Sequence, residues 1–213
     1  MSSIVVIGGT GYAGSSIVRE AVARGHQVTS LSRSLPTEPV EGATYVQGDA
    51  ADAGELVAGA DVVVGALSPR AGTEGTLVPT YTKLAELAAE AGARLFVIGG
   101  FSSLRPAPGA PRFVEGDDLP PEYADEAREG NAVLGALIES APEDLDWVFV
   151  SPAATFGAYT PSSAPRGVYR TSTDIALFDA EGNSALEAAD LALAVLDEIE
   201  HPTHHRSQIH FAY

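Results

Sequence analysis

Three glycines near the N-terminus have the spacing of a phosphate-binding loop. Gly8, Gly11 and Gly14 follow a short β-branched segment at residues 3–7 and precede a helical pattern that closes on Gly25. In this arrangement the glycines permit a tight turn, a close backbone approach to a pyrophosphate and close packing of the helix. The helix N-terminus would supply N–H groups and a positive dipole end. The strand-and-helix context favours this reading over a glycine-rich turn without a ligand. The predicted contacts are Gly8, Thr10, Gly11, Tyr12, Ala13 and Gly14.

Arg33 lies where the ribose of a dinucleotide would be recognised. It follows the second predicted strand, at residues 27–31, where an NAD-binding protein carries an acidic residue about twenty positions after its glycine loop. A guanidinium can hold a 2′-phosphate through two parallel hydrogen bonds. The sequence therefore favours NADP (NADPH) over NAD, and the alternative is an ordinary surface arginine.

Residues after the third, fourth and fifth predicted strands complete the predicted cofactor site. Asp49 can accept a hydrogen bond from the adenine amino group, or it can cap the next helix, and the two roles are compatible. Small residues after the other strands would leave room for a cofactor at the carboxyl edge of the sheet, where ligands of such folds bind. The further predicted contacts are Ala50, Ala66, Leu67, Ser68, Gly99 and Gly100.

The alternation of strands and helices predicts one α/β domain over residues 1–213. Strands are predicted at 3–7, 27–31, 44–46, 61–65, 94–98, 147–150 and 208–212, and later helices at 77–91, 124–140 and 186–199. Such alternation implies right-handed crossovers, hence a Rossmann-type, doubly wound parallel sheet with helices on both faces. Ala127, Val133, Leu134, Leu137 and Ile138 are the predicted core positions of the helix at 124–140. Residues 101–123 and 153–182 are predicted substrate-side loops, the second within a small C-terminal substrate-side region.

Composition excludes several classes of function. The 213 residues include no cysteine, which rules out disulfides and thiolate catalysis. With 29 acidic and 12 basic residues, the net charge of −17 disfavours nucleic acid and anionic lipid as partners. No apolar run approaches the ~20 residues of a membrane span, and no targeting segment is recognisable. We therefore expect a cytoplasmic monomer or homodimer with a small-molecule substrate. His201, His204 and His205 lack the pattern of a zinc site, and no metal is expected.

Residues 8–34, GGTGYAGSSIVREAVARGHQVTSLSRS, resemble the start of the atypical, or extended-like, short-chain dehydrogenases and reductases. The chain is similar over nearly its whole length to small NAD(P)H-binding proteins called NADH-flavin reductases, which are related to biliverdin reductase B and to NmrA-like regulators. The similarity continues in VIGGFSSL, DLDWVFVSPA and QIHFAY. It implies an NADPH-dependent oxidoreductase that passes a hydride to a flavin, a quinone or a related conjugated acceptor. FMN or FAD would then be a substrate rather than a bound cofactor.

One departure from the wider family concerns proton transfer. Short-chain dehydrogenases carry a Tyr-x-x-x-Lys pair, but Tyr123 is followed by Ala127 at the lysine position, and Lys83 follows Tyr81 by two residues only. The flavin-reductase-like relatives also lack the pair, so hydride transfer to an electrophilic acceptor stays open. A non-catalytic redox sensor of the NmrA-like kind is the alternative. An isomerase or epimerase with tightly bound NAD is a third and weaker one.

Candidate catalytic and substrate residues follow the fifth and sixth predicted strands. Ser102 and Ser103 occupy the region where these families place a serine, and a hydroxyl there could orient the acceptor or relay a proton from water. Loop serines with no catalytic role are the alternative. Residues 155–170 form the predicted substrate lid. The predicted substrate contacts are Phe101, Tyr123, Ser151, Pro152 and Ala153.

Overall fold

The structure, a computed structural model, describes residues 1–70, 72–116, 119–159 and 165–213. In these ranges the chain forms eight strands and five helices. The strands are β1 (Ser3–Ile7), β2 (Gln27–Ser32), β3 (Ala43–Gln47), β4 (Val62–Gly65), β5 (Arg94–Ile98), β6 (Trp147–Ser151), β7 (Arg170–Ser172) and β8 (Ser207–Ala212). The helices are α1 (Tyr12–Ala23), α2 (Gly54–Val57), α3 (Leu77–Ala91), α4 (Pro121–Ser140) and α5 (Ala188–Glu200). Short 3₁₀ turns occupy Ala50–Asp52, Phe101–Ser103 and Phe113–Glu115.

All strands join one sheet in the order β3-β2-β1-β4-β5-β6-β8-β7. Every neighbouring pair is parallel except β7 and β8, which run antiparallel. The strand order reverses at β1, which pairs with β2 on one side and β4 on the other. In an open α/β sheet, the crevice above such a reversal is where ligands bind. This confirms the predicted Rossmann-type fold.

Helices cover both faces of the sheet because each buried strand presents apolar side chains alternately to the two sides. On one face, Ile4 and Val6 pack against the apolar stripes of α1 and α5. On the other face, Val5 and Ile7 pack against apolar residues of α2, α3 and α4. α1 and α3 each end before a glycine with positive φ, Gly25 at 81° and Gly92 at 67°, as the sequence predicts.

Three predictions need correction. The sheet is not wholly parallel, and the segment 153–182 is not wholly irregular, because it contributes the antiparallel edge strand β7. Ile138 is not a core residue: its side chain is 56% exposed, whereas Val133, Leu134 and Leu137 are buried. Ile138 lies one turn after Leu134 on the same side of α4, but the core cluster that covers Leu134 and Leu137 does not extend to it. Residues 160–164 of the predicted lid and residues 117–118 of the first loop lie outside the described residues.

Candidate functional site

The glycine loop lies in the crevice above the strand-order reversal. The Gly8 amide donates to the Leu31 carbonyl at 2.8 Å, and the Ala66 amide donates to the Ile7 carbonyl at 2.8 Å. These bonds hold the ends of β1, β2 and β4 together behind the loop. The Thr10 amide donates to the Ser32 hydroxyl at 3.2 Å, which fixes the loop to the end of β2.

Two of the three predicted glycines, Gly8 and Gly14, are required by the geometry of the protein itself. Gly8 has a φ of 86°, and a Cβ there would lie 2.5 Å from the Ala66 carbonyl oxygen. A Cβ on Gly14 would lie 2.3 Å from the Gly8 carbonyl oxygen, so only glycine lets α1 start this close to the turn. The sequence analysis missed Gly9, where a Cβ would meet the Ser30 hydroxyl at 2.3 Å. The repeated glycine at positions 8 and 9 was the available signal.

Gly11 differs from its neighbours because the protein leaves space beside it. A Cβ there would meet only the Gly8 carbonyl oxygen, at 3.3 Å, and Gly11 is exposed at the N-terminus of α1. The first N–H groups of a helix lack partners within the helix, and they carry its positive dipole end. An open, positively polarised backbone surface fits the pyrophosphate of a dinucleotide. The loop residues Gly8 to Gly14 would hold it there, and contact with each stays a prediction.

Arg33 and Asp49 follow neighbouring strands at the far side of the crevice. Gln47 donates through Nε2 to the Arg33 carbonyl at 3.0 Å, and the Gly48 amide donates to the Ser32 carbonyl at 3.0 Å. Arg33 is exposed directly after β2, as the 2′-phosphate role requires. Asp49 accepts from the Ala51 amide at 3.1 Å, so its capping role is confirmed. Its contact with adenine, beside Ala50, stays a prediction.

Tyr81 supports the segment of Ala66, Leu67 and Ser68 from below. The buried Tyr81 hydroxyl accepts from the Leu67 amide at 3.1 Å. Its ring fills the space beside Gly65, where a Cβ would lie 2.3 Å from a ring carbon. Burial raises the pKa of the Tyr81 phenol, and the bond to the Leu67 amide opposes that rise. Lys83 pairs with Glu86 on the surface, so Tyr81 and Lys83 form no proton relay.

Ser103 and Ser151 belong to a buried hydrogen-bond network. The Ser103 hydroxyl donates to the Gly100 carbonyl at 2.7 Å and lies 2.9 Å from the Ser151 hydroxyl. Gln208 Nε2 donates to the hydroxyls of Ser103 at 3.0 Å and of Ser151 at 2.8 Å. Arg112 donates to the Gln208 side-chain oxygen and to the Ser103 carbonyl. Because its one proton is used on Gly100, Ser103 holds the turn after β5 rather than presenting a hydroxyl to a substrate.

Ser102 and Phe101, which share that turn, are partly exposed. The Phe101 ring stacks on Phe113 with centroids 5.0 Å apart and meets Phe178 edge-on at 6.2 Å. Gly99 is required beneath the turn, because a Cβ would lie 2.0 Å from the Phe149 ring, whereas the space beside Gly100 is open. Of the two predicted catalytic serines, Ser102 is the one that keeps exposed surface, and its catalytic role stays a prediction.

The predicted substrate contacts after β6 are covered by protein. Ser151, Pro152 and Ala153 are buried, and Ala153 packs in the core beneath α1 and α5. A substrate could reach their side chains only if the segment after β6 moved, so their contact with substrate stays a prediction.

His210 was missed by the sequence analysis. It lies opposite Ser151 on β8, fully buried, with Nδ1 2.8 Å from the Ser151 carbonyl. A carbonyl only accepts, so Nδ1 carries the proton and Nε2 is an acceptor. Nε2 is buried without a partner among the described residues. Burial lowers the pKa of His210, and the bond to Ser151 opposes this. No sequence pattern marks a histidine inside a closing strand.

A cleft of about 420 Å³ opens at the same carboxyl edge. Tyr123, 47% exposed at the start of α4, and Tyr159, from the segment after β6, both line it. Contact of Tyr123 with a substrate stays a prediction. The other residues that line the cleft are Pro69, Arg70, Glu122, Asp125 and Glu126. We call this the acceptor cleft, after the role that we propose for it.

The three C-terminal histidines lie at the opposite end of the sheet. His204 Nδ1 is 2.9 Å from Glu198, and His205 Nδ1 is 2.8 Å from Asp146. Within the described ranges, no group of three or more histidine, aspartate or glutamate side chains is arranged to hold a metal ion.

Comparison with known proteins identifies the family. The model of a family described as NAD(P)H-binding matches residues 8–202. The chain belongs to this NAD(P)H-binding family. The Bacillus subtilis (strain 168) protein YwnB is 32% identical over 204 residues, which cover 94% of this chain and 93% of YwnB. The family match agrees with the open glycine loop at α1.

Solved structures share the family fold. A Streptococcus pneumoniae protein titled a "putative NADH-flavin reductase" has a TM-score of 0.85 at 30% identity, covering 100% of this chain and 99% of that one. A Bacteroides thetaiotaomicron protein titled a "putative epimerase" has a TM-score of 0.86 at 30% identity, covering 99% and 96%. A Burkholderia pseudomallei protein titled a "putative exported protein" has a TM-score of 0.86 at 34% identity, covering both chains fully. In the described part of the chain studied, no helix is both long enough and apolar enough to cross a membrane.

Proposed function

We propose that this protein is an NADPH-preferring oxidoreductase that passes a hydride to a conjugated small-molecule acceptor of the flavin or quinone type. The observation that carries the proposal is the position of the acceptor cleft, which opens at the same carboxyl edge of the sheet as the glycine loop at α1. The name of the Streptococcus relative supports the reaction class. Bound NADPH would supply the hydride, that is two electrons and one proton, and the acceptor would take a second proton from water.

The residues of this chain would act mainly by positioning. The glycine loop and the segment held by Tyr81 would orient the nicotinamide toward the acceptor cleft, and stacking of an electrophilic acceptor supplies proximity. Ser102, partly exposed after β5, would orient the acceptor or pass it a proton from water. Arg33 would select the 2′-phosphate. A reaction that consumes NADPH suits the cytoplasm, and we retain that location together with a monomeric or homodimeric state.

The test begins with fluorescence titrations of the purified protein with NADPH and NADH. Riboflavin, FMN and a neutral quinone are then added with the tighter cofactor, and its oxidation is followed against the rate without protein. We expect tighter NADPH binding and acceptor-dependent oxidation. Tight binding without turnover on any acceptor would overturn the reductase proposal in favour of a redox sensor, the alternative that the missing Tyr-x-x-x-Lys pair leaves open.

A further inference from the structure

We propose that the acceptor cleft selects an uncharged, planar acceptor and discriminates against a phosphorylated one. The inference rests on the proposed function and narrows its substrate class. A flavin without phosphate, such as riboflavin, or a neutral quinone would be reduced in preference to FMN.

The acceptor cleft is joined to the predicted cofactor site on two sides. One wall, Pro69 and Arg70, continues directly from the segment of Ala66, Leu67 and Ser68. The other wall, Tyr159, donates from its hydroxyl to the Phe156 carbonyl at 3.1 Å. The Phe156 ring in turn meets the edge of Tyr12 in α1, with centroids 5.1 Å apart.

Two phenol rings give the cleft its affinity for flat molecules. Tyr123 and Tyr159 are 47% and 63% exposed, so both rings are open to a ligand. Aromatic faces favour stacked or edge-on contact with another ring system. The volume of about 420 Å³ lies within the usual range for small-molecule sites. A ring system of two or three fused rings therefore suits the cleft.

The charge around the cleft opposes an anion. Glu122, Asp125 and Glu126 line it, with Arg70 as the one lining cation among the described residues. Arg70 is 2.7 Å from Glu126 and Arg128 is 3.2 Å from Asp125, while Glu122 makes no ion pair within the described part of the chain. Glu129, one turn further along α4, adds another carboxylate, which accepts from the Gly75 and Leu77 amides.

The net charge of the whole protein adds to the repulsion that the cleft exerts on a phosphate ester. The whole chain has a net charge of −17, and a phosphate monoester carries about 1.5 to 2 negative charges at pH 7. Two cleft carboxylates that are not neutralised by a cation, about 10 Å from the phosphate, would repel it. At low ionic strength this repulsion amounts to about a tenfold difference in kcat/KM, and salt screens it. The uncharged acceptor escapes this repulsion while keeping the same ring contacts.

The experiment compares kcat/KM for riboflavin and FMN, which share one ring system and differ by the phosphate. Measurements use the full chain at saturating NADPH, at low ionic strength and with added NaCl. We expect kcat/KM for riboflavin to exceed that for FMN by about tenfold, with the ratio falling toward one as salt rises. Glu122→Gln and Asp125→Asn should each lower the ratio about two- to threefold at low salt.

Glu139→Gln is the matched control, because it removes one exposed carboxylate from the far end of the same helix. It should leave the ratio unchanged. A riboflavin-to-FMN ratio of one or less at low salt, or a ratio that neither cleft variant shifts, would overturn the charge inference while leaving the reductase proposal standing. Failure to reduce riboflavin, FMN and a neutral quinone alike would overturn both proposals.

Discussion

At the scale of single residues, the most constrained atoms of the candidate site belong to the backbone. Gly8, Gly9 and Gly14 each lie where a Cβ would come within 2.5 Å of another atom. Gly11 does not, although it sits between them in the same loop. The contrast separates glycines that the protein itself needs from Gly11, whose open side leaves room for the predicted pyrophosphate.

Gly14→Ala tests the first group. The added Cβ would lie 2.3 Å from the Gly8 carbonyl oxygen, so the loop must shift away from α1. We expect a loss of about 1–3 kcal/mol in the free energy of unfolding, typical of overpacking, and at least tenfold weaker NADPH binding. Urea titration and fluorescence titration measure the two effects.

Gly130→Ala provides the control, because a Cβ at this position of α4 meets nothing within 4 Å. It should leave cofactor binding unchanged and raise stability by about 0.5–1 kcal/mol, since alanine costs less backbone entropy than glycine in a helix. Equal NADPH affinities for Gly14→Ala and Gly130→Ala would show that the loop tolerates the shift.

Arg33→Ala tests the cofactor preference. Loss of a charge-assisted bond to the 2′-phosphate should weaken NADPH binding by about 1.5–3 kcal/mol, while NADH, which lacks that phosphate, binds nearly as before. Arg19→Ala, which removes an exposed arginine from α1, is the control for net charge. Arg33 does not bind the 2′-phosphate if Arg33→Ala weakens the binding of NADPH and NADH equally, or weakens NADPH binding no more than Arg19→Ala does.

At the scale of elements, α3 reaches the cofactor crevice through Tyr81. Tyr81→Phe keeps the ring beside Gly65 but removes the hydroxyl that accepts from the Leu67 amide. We expect a loss of about 1 kcal/mol in the free energy of unfolding. We also expect severalfold weaker NADPH binding, because the segment of Ala66 to Ser68 loses the hydrogen bond that holds it to α3. Thermal unfolding and cofactor titration report the two effects separately.

Tyr45→Phe makes the same chemical change in the edge strand β3. The Tyr45 hydroxyl accepts from the Val40 amide at 3.2 Å. This variant should lose similar stability with cofactor binding unchanged. An equal effect of the two variants on NADPH affinity would mean that Tyr81 acts only on global stability.

The main elements of the fold could be predicted because their signals are local. Apolar runs bounded by glycine mark β1 and β5 to the residue, and a helical stripe ending at Gly92 marks α3 in the same way. β7 could not be predicted, because its three residues carry no apolar alternation and owe their strand geometry to pairing with β8. The prediction that Ile138 is a core residue was wrong, because an apolar stripe does not show how much of the helix surface the neighbouring elements cover.

The residues of the candidate site also differ in whether local sequence signals could predict them. The glycine loop and Arg33 are adjacent to strands that the sequence reveals, so their position in the crevice could be predicted. The network of Ser103, Ser151 and Gln208 joins residues 48 to 105 positions apart, and only tertiary structure brings them together. This is why the structure assigns Ser103 a holding role that the sequence could not distinguish from an exposed one.

At the scale of the whole molecule, a partly buried ion network lies at the amino end of the sheet. Arg94 at the start of β5 is 2.8 Å from Asp146 and 3.0 Å from Glu198, and its guanidinium lies 4.8 Å from the centre of the Phe96 ring. Glu198 in α5 also accepts from the Thr203 and His204 amides, each at 2.9 Å. One carboxylate thus joins α5, β5 and the turn that leads into β8.

This carboxylate predicts how the fold responds to acid. Burial alone would raise the pKa of Glu198, but hydrogen bonds from His204 and Thr203 outweigh it and lower the pKa from 4.5 to about 2. Because the folded pKa lies below the unfolded one, the stabilisation is complete above pH 4.5 and is lost as pH falls toward 2. A shift of this size corresponds to roughly 3 kcal/mol.

Glu198→Gln should therefore be destabilised by about 2–3 kcal/mol at pH 7, and the deficit should shrink as pH falls below 4.5. Urea unfolding of both proteins, from pH 7 down to the lowest pH at which each stays folded, measures it. Glu38→Gln, at an exposed position, should show no deficit at any pH. His210, whose pKa is lowered by burial, adds a common loss of stability below its ordinary pKa of 6.5 in all three proteins, so it cancels from the comparison. A deficit that stays constant from pH 7 to the acid limit would mean that Glu198 stabilises the fold by packing rather than by its charge.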